Sequence, residues 1–140
     1  MDTAYVAKCY LNEPGAERVR ALVADEAGLT SSAWCRAEFA CVLLRHVREK
    51  GLTRKQARAL HRFFRKDTRD GIWNLVPVTA DLLEEVENRI LAMRKADLFL
   101  RAGDAIHLTT AKREGFREIW TSDQHLLRSA SRFGLRGRSV

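Results

Sequence analysis

Apolar positions along this chain fall into short runs separated by turn signals. In residues 3–11, TAYVAKCYL, the spacing predicts a short helix, closed by the turn Asn12-Glu13-Pro14-Gly15. Residues 16–27 predict a second helix with Val19, Leu22 and Val23 inward. Gly28-Leu29-Thr30 is a short strand candidate. Ser31 or Ser32 is placed to cap the next helix, which runs to about Lys50 and is ended by Gly51. Thr53 caps a strongly basic helix that Gly71 ends. Ile72 to Val78 reads as a strand, Thr79 as a cap, and 80–96 as a helix with Asp97 at its end. A helix over about 103–114 is closed by Gly115. A strand from Glu118 to Thr121, a helix over 124–132 and a possible edge strand from Leu135 to Arg138 complete the chain.

Short strands alternating with longer helices predict an α/β fold, a small and mainly parallel central sheet flanked by helices. The 140 residues show no repeat, low-complexity tract or linker, so one domain is expected over residues 1–140. The helices of residues 32–50 and 53–70 are expected to form a projecting hairpin. Leu43, Leu44, Val47, Leu52, Leu60, Phe63 and Phe64 carry more apolar surface than one helix needs for its own domain. That surplus would seat a twin subunit or a partner's helix.

Composition narrows the class. A hydrophobic content of 46% suits an ordinary packed core. No run reaches the ~18 apolar residues of a membrane span, and the amino end lacks the pattern of a signal peptide. Cys9, Cys35 and Cys41 make an odd count without CxxC spacing, so buried free thiols in a reducing cytoplasm are expected. The formal net charge is +7, and residues 45–69 hold ten basic residues against Glu49 and Asp67, a local +8. Such a patch suits a polyanion; a solvated helix face or an acidic protein partner would explain it equally.

Four acids change the picture: Asp2, Glu38, Asp104 and Asp123. They lie at strand ends or on apolar helix faces, where a carboxylate is costly unless it binds something. Glu38 shares a face with Trp34, Cys41 and Val42, and Asp104 with Leu100, His107 and Leu108. Each has a bland explanation. Asp2 and Asp123 can be N-caps, and Asp104 can answer a helix dipole. Ligands of α/β folds gather beyond the carboxyl ends of strands, where one topology would bring all four together. Four convergent carboxylates suggest a hard divalent cation and phosphate chemistry. Thr3, Thr121 and Ser122 either hydrogen-bond these acids or only cap helices. Lys8 either touches phosphate or faces solvent. Trp34, Trp73 and Trp120 read as core anchors, His107 as packing or as a support to the acids, and His46, His61 and His125 have no persuasive ligand partner.

The segments that carry these acids resemble, in this order and spacing, the PIN-domain ribonucleases, and within them the VapC-type toxins of toxin–antitoxin pairs. DTAYVAKCYLNEPGAERV is similar to the family's opening segment, SSAWCRAEFACVLLR to the one with its second acid, LRAGDAIHLTTA to its most recognisable stretch, and TSDQHLLRSASRFGLRG to its closing motif. The resemblance implies a Mg²⁺- or Mn²⁺-dependent RNA endonuclease, restrained by a cognate antitoxin protein and commonly dimeric. It implies Asp2, Asp104 and Asp123 as metal ligands, with Glu38 a ligand, a holder of metal-bound water or the base. Two departures stand out. Only Met1 precedes Asp2 where the family has an apolar strand, so the first strand is expected to be missing, either because the start lies upstream or because the chain folds without it; and Ala4 replaces a common serine. A catalytically impaired PIN-like module that binds RNA or a partner is therefore the alternative. A hydrolase of small phosphate esters is disfavoured, because the length leaves no room for a substrate-covering lobe.

Overall fold

The computed structural model describes residues 1–24, 26, 28–93 and 99–140. Along the chain come α1 (Thr3–Tyr10), α2 (Ala16–Ala24), β1 (Leu29–Ser32), α3 (Cys35–Arg48), α4 (Arg54–Arg69), β2 (Trp73–Val76), α5 (Ala80–Leu91), α6 (Ala102–Arg113), β3 (Glu118–Trp120), α7 (Gln124–Ala130) and β4 (Arg136–Arg138). A single 3₁₀ turn, Ser131–Phe133, links α7 to β4. The mixed α/β class matches the expectation from the pattern. Helix α5 ends at Leu91, short of residue 96. Asp97, and residues 25 and 27 of the expected second helix, lie outside the described residues.

Two caps land one or two residues from where the sequence put them. Ser32 does not itself cap α3. It sits two residues outside, its hydroxyl accepting from the Trp34 N–H at 3.2 Å, and Trp34 takes the cap position. The helix ends not at Gly51 but in a left-handed turn at Lys50 (φ 60°), with the Gly51 N–H donating to the His46 carbonyl. Gly71 and Gly115 do take the left-handed conformation expected of a residue just past a helix end (φ 81° and 78°). Thr53 and Gln56 form a reciprocal capping box on α4.

The expected single sheet is two parallel pairs. β1 pairs with β2 from Leu29↔Trp73 to Ser32↔Val76, and β3 pairs with β4 from Glu118↔Arg136 to Trp120↔Arg138. Met1 and Asp2 lie between the pairs. The Met1 ammonium donates to the Thr30 carbonyl of β1 at 2.8 Å, and the Asp2 N–H donates to the Trp120 carbonyl of β3 at 3.2 Å. Burial pushes the Met1 amine below its ordinary range.

Each strand pair has its own core. Val6, Leu11, Leu29, Phe39, Leu43, Phe64 and Trp73 pack over the first; Val86, Ile106, Leu108, Ile119, Leu126, Phe133 and Leu135 pack over the second. In the first, Phe39 and Phe64 meet edge-on at 5.1 Å between ring centres, and Tyr10 closes on both. Tyr10 also donates to Asp67 at 2.6 Å and accepts from the Trp73 indole N–H at 2.8 Å, which ties α1 to α4 and β2.

Helices α3 and α4 form a hairpin whose apolar residues divide. Leu43 and Phe64 are core residues, and Leu52 and Leu60 pack against that core. Leu44 and Phe63 remain 62% and 58% exposed. The expected surplus is thus smaller than the sequence suggested, because the hairpin's base is spent on its own domain. Two aromatic and thiol expectations also change. Trp73 is buried, but Trp34 is 38% exposed beside the acids, and Cys41 is exposed while Cys35 is buried. Burial pushes the Cys9 and Cys35 thiols up to about 11. No helix among the described residues is long and apolar enough to cross a membrane.

Helix α6 is the central element. Every residue from Asp104 to Thr110 is buried. A helix buried on all sides is expected to be apolar throughout, yet His107 Nδ1, Thr109 Oγ1 and Thr110 Oγ1 are buried without a hydrogen-bond partner among the described residues. Such an orphan costs about 1–3 kcal/mol.

Candidate active site

All four predicted acids line one cavity of about 230 Å³, together with a fifth carboxylate, Glu13, and with Thr3, Arg45, Arg101 and His107. The reason lies in the helix starts. Asp2 is the N-cap of α1, Glu38 lies in the first turn of α3, Asp104 in the first turn of α6, and Asp123 is the N-cap of α7. The bland readings of these residues are therefore correct as local structure, and the topology brings the four helix starts to one place. Each helix presents its partly positive end to the cavity, which offsets the mutual repulsion of the carboxylates.

Every acid is held by the protein. Asp2 accepts from the Tyr5 N–H at 3.2 Å through Oδ1, and from the Thr121 hydroxyl at 2.5 Å through Oδ2. Glu38 Oε2 takes the Thr3 hydroxyl and lies 2.9 Å from His107 Nε2. Asp104 Oδ2 accepts from the Arg101 N–H at 3.2 Å, and its Oδ1 has no hydrogen bond among the described residues. Asp123 Oδ1 accepts from the N–H groups of His125 and Leu126, while Oδ2 pairs with the Arg101 guanidinium at 3.3 Å. Thr3 and Thr121 thus touch the acids; Ser122 makes no hydrogen bond to any of them among the described residues.

The electrostatics separate the carboxyls. Burial raises Asp2 above the usual carboxylate range, against the lowering effect of its hydrogen bonds. Burial also raises Asp104, and the neighbouring Asp123 and Glu38 charges push the same way. Burial acts upward on Glu38 too, but bonds from His107, Thr3 and Trp34 outweigh it and hold the group below its ordinary value.

By donor chemistry the set fits a hard divalent cation: clustered carboxylate oxygens, one of them unpartnered, in a buried acid whose charge its neighbours disfavour. Among the described residues no three His, Cys, Asp or Glu side chains are grouped closely enough to hold an ion as they stand. The geometry explains this. Asp2, Glu38 and Asp123 are each held by protein donors rather than drawn together around an ion.

Sequence reasoning missed two residues. An added Cβ at Gly103 would lie 2.3 Å from Glu38 Oε1 and 3.0 Å from the Trp34 indole nitrogen, so glycine here makes room for the Glu38 carboxylate. Arg101 was not singled out, though a cation one turn before an acidic helix start is a usable signal. His107, read as packing or as a support to the acids, is the hydrogen-bond partner of Glu38. Lys8, read as touching phosphate or facing solvent, lines a hollow with Asn12, Glu13 and Arg45, the last two of which also line the acidic cavity. His46 pairs with Glu13 at 2.9 Å, away from any metal-like grouping.

Residues 1–131 match the model of the PIN domain, and the chain belongs to that family. PIN domains are generally nucleases that bind RNA and typically use divalent metals. No curated protein matches the chain.

Proposed function

We propose that this protein is a Mg²⁺- or Mn²⁺-dependent endoribonuclease that hydrolyses RNA phosphodiester bonds as the cytoplasmic toxin of a toxin–antitoxin pair. The observation that carries the reading is the meeting of four carboxylates at four helix starts in one cavity. Asp2, Asp104 and Asp123 would hold the ion, with Glu38 as a fourth ligand or as the base. A bound divalent cation supplies an activated water and offsets charge on the phosphodiester. Thr3 and His107 orient Glu38, and Thr121 orients Asp2. Arg45 and Arg101, which line the cavity, and the basic residues of α4 attract the RNA backbone.

For the partner, the groove between α3 and α4 is suited to an acidic, leucine-bearing antitoxin helix or a twin subunit. Leu43, Leu44 and Val47 form its floor, and Arg54, Arg58 and Arg62 its rim.

A second reading, a PIN-like module that binds RNA or a partner without cutting, is favoured by the carboxylates' existing protein partners. One experiment separates the two. The purified chain is incubated with single-stranded RNA and Mn²⁺ or Mg²⁺, with and without EDTA. Cleavage that EDTA stops supports the nuclease; RNA retention that persists in EDTA, with no cleavage under any condition, supports the binding module.

A further inference from the structure

Among the described residues four aromatic side chains are exposed: Trp34, Phe63, Phe99 and Phe116. Two of them stand at the acids. Trp34 sets its indole nitrogen beside Glu38. Phe99 is 58% exposed, and nothing in the cleavage chemistry uses it. A single exposed phenylalanine is ordinary on a protein surface. What distinguishes Phe99 is the way it is backed.

The Phe99 ring lies 4.8 Å, centre to centre, from the His125 imidazole, and the Arg101 guanidinium carbon sits 5.4 Å from the ring centre. Both partners also hold Asp123. The Arg101 guanidinium pairs with its Oδ2 at 3.3 Å, and the His125 N–H donates to its Oδ1 at 2.7 Å. Arg101 is in addition the N-cap of α6, the helix that presents Asp104. The ring is therefore tied to two of the four acid-bearing helix starts. It stands one side chain away from the acidic cavity, with Arg101 between them.

An open aromatic ring next to a guanidinium, beside a site for phosphate chemistry, suits a nucleobase. Every base has a π-face that a phenyl ring can meet, and an arginine beside the ring adds a cation–π attraction. We propose that Phe99, supported by His125 and Arg101, is a platform on which a nucleobase stacks next to the phosphodiester presented to the acids. Phe99 is then a positioning residue: it fixes the nucleotide, and with it the register of the backbone across the cavity. The inference rests on the RNA reading of that cavity. A base inside a duplex already has its faces covered by its neighbours, so the platform serves an unpaired one.

The test reads stacking in EDTA, so its outcome does not depend on whether the chain cleaves RNA. The full chain is titrated into a short uridine RNA carrying 2-aminopurine at alternate positions, a base whose fluorescence falls when it stacks. The parent chain is expected to quench it, and Phe99→Tyr to do the same. Phe99→Leu keeps the apolar bulk without the ring; it should lose the quenching and about 5- to 100-fold in affinity. The same RNA annealed to its complement should bind the parent and Phe99→Leu alike. No quenching by the parent, equal quenching and affinity in Phe99→Leu, or a loss that Phe99→Tyr shares overturns the proposal. Cleavage of RNA by a chain that fails this test would leave the nuclease reading standing. A chain that passes it and never cleaves would remove that reading alone.

Discussion

Replacing Gly103 by alanine places one methyl group against the business end of Glu38. The added carbon would lie 2.3 Å from Oε1 and 3.4 Å from Cδ, far inside van der Waals contact, so the carboxylate must move by about an ångström or more. It is the far end of a flexible side chain, so the move is possible without unfolding α6. What it forfeits is the position of Oε2 on Thr3 and His107, two bonds of a charged acceptor worth about 1.5–3 kcal/mol each. Against this, alanine in a helix interior gains about 1 kcal/mol over glycine. The expected outcome is a Tm within a few degrees of the parent, with RNA cleavage down by about tenfold to a hundredfold, or about 1.4–2.7 kcal/mol in the barrier. A continuous assay with a quenched fluorescent RNA in Mn²⁺ reads the rate, and thermal melting reads the fold. Shortening the acid in the same background, with Glu38→Asp, should recover part of the loss, since the shorter side chain escapes the methyl; the double-mutant cycle would show coupling. Gly103→Ala that cleaves at the parental rate would refute the role given to Glu38's position.

Further outcomes follow from the same geometry. Asp104→Asn should abolish cleavage and leave the melting transition intact, measured by the same assay and by calorimetry. In EDTA, the raised Asp2 and Asp104 carboxyls make the metal-free fold lose stability as pH climbs through their folded-state values, and regain it as pH falls toward them. Melting scans from pH 4 to 8 should show this slope, and it should be shallower in Asp104→Asn. Tyr10→Phe should cost about 1–3 kcal/mol in urea unfolding, because it leaves Asp67 and the Trp73 indole without their shared hydroxyl. Arg58→Gln with Arg62→Gln and Arg65→Gln should weaken RNA retention and flatten its dependence on salt, read by filter binding across an ionic-strength series.

The acids and most of the helix limits were legible in the sequence because both are local signals. A capping threonine, a left-handed glycine and a carboxylate on an apolar face each announce themselves within a few residues. Thr53, Thr79, Gly71 and Gly115 behave as read. The split of the sheet into two pairs was not legible, since it depends on what lies between β1 and β3 in space. Gly103 was hidden for a related reason. It reads as a poor helix residue near a start, and its use appears only when α3 brings Glu38 against it from 65 positions away. Trp34 misled because a tryptophan's size suggests a core, while here its indole nitrogen serves Glu38. The hairpin was over-read, because composition cannot tell which apolar residues the domain keeps for itself.

The placing of all four acids at helix starts has a consequence for anyone scanning this protein by mutagenesis. Asp2 and Asp123 each hold a helix end and face the cavity with the same side chain. Alanine at either would remove a cap worth about 1 kcal/mol along with any ligand, so inactivity would be confounded with fraying. Asparagine caps as well as aspartate and carries no charge. The fold is therefore indifferent to an exchange that the chemistry cannot survive. On the proposed function, a lineage carrying this architecture can shed catalysis by one nucleotide change per acid while keeping its shape, so an intact fold is no guide to activity.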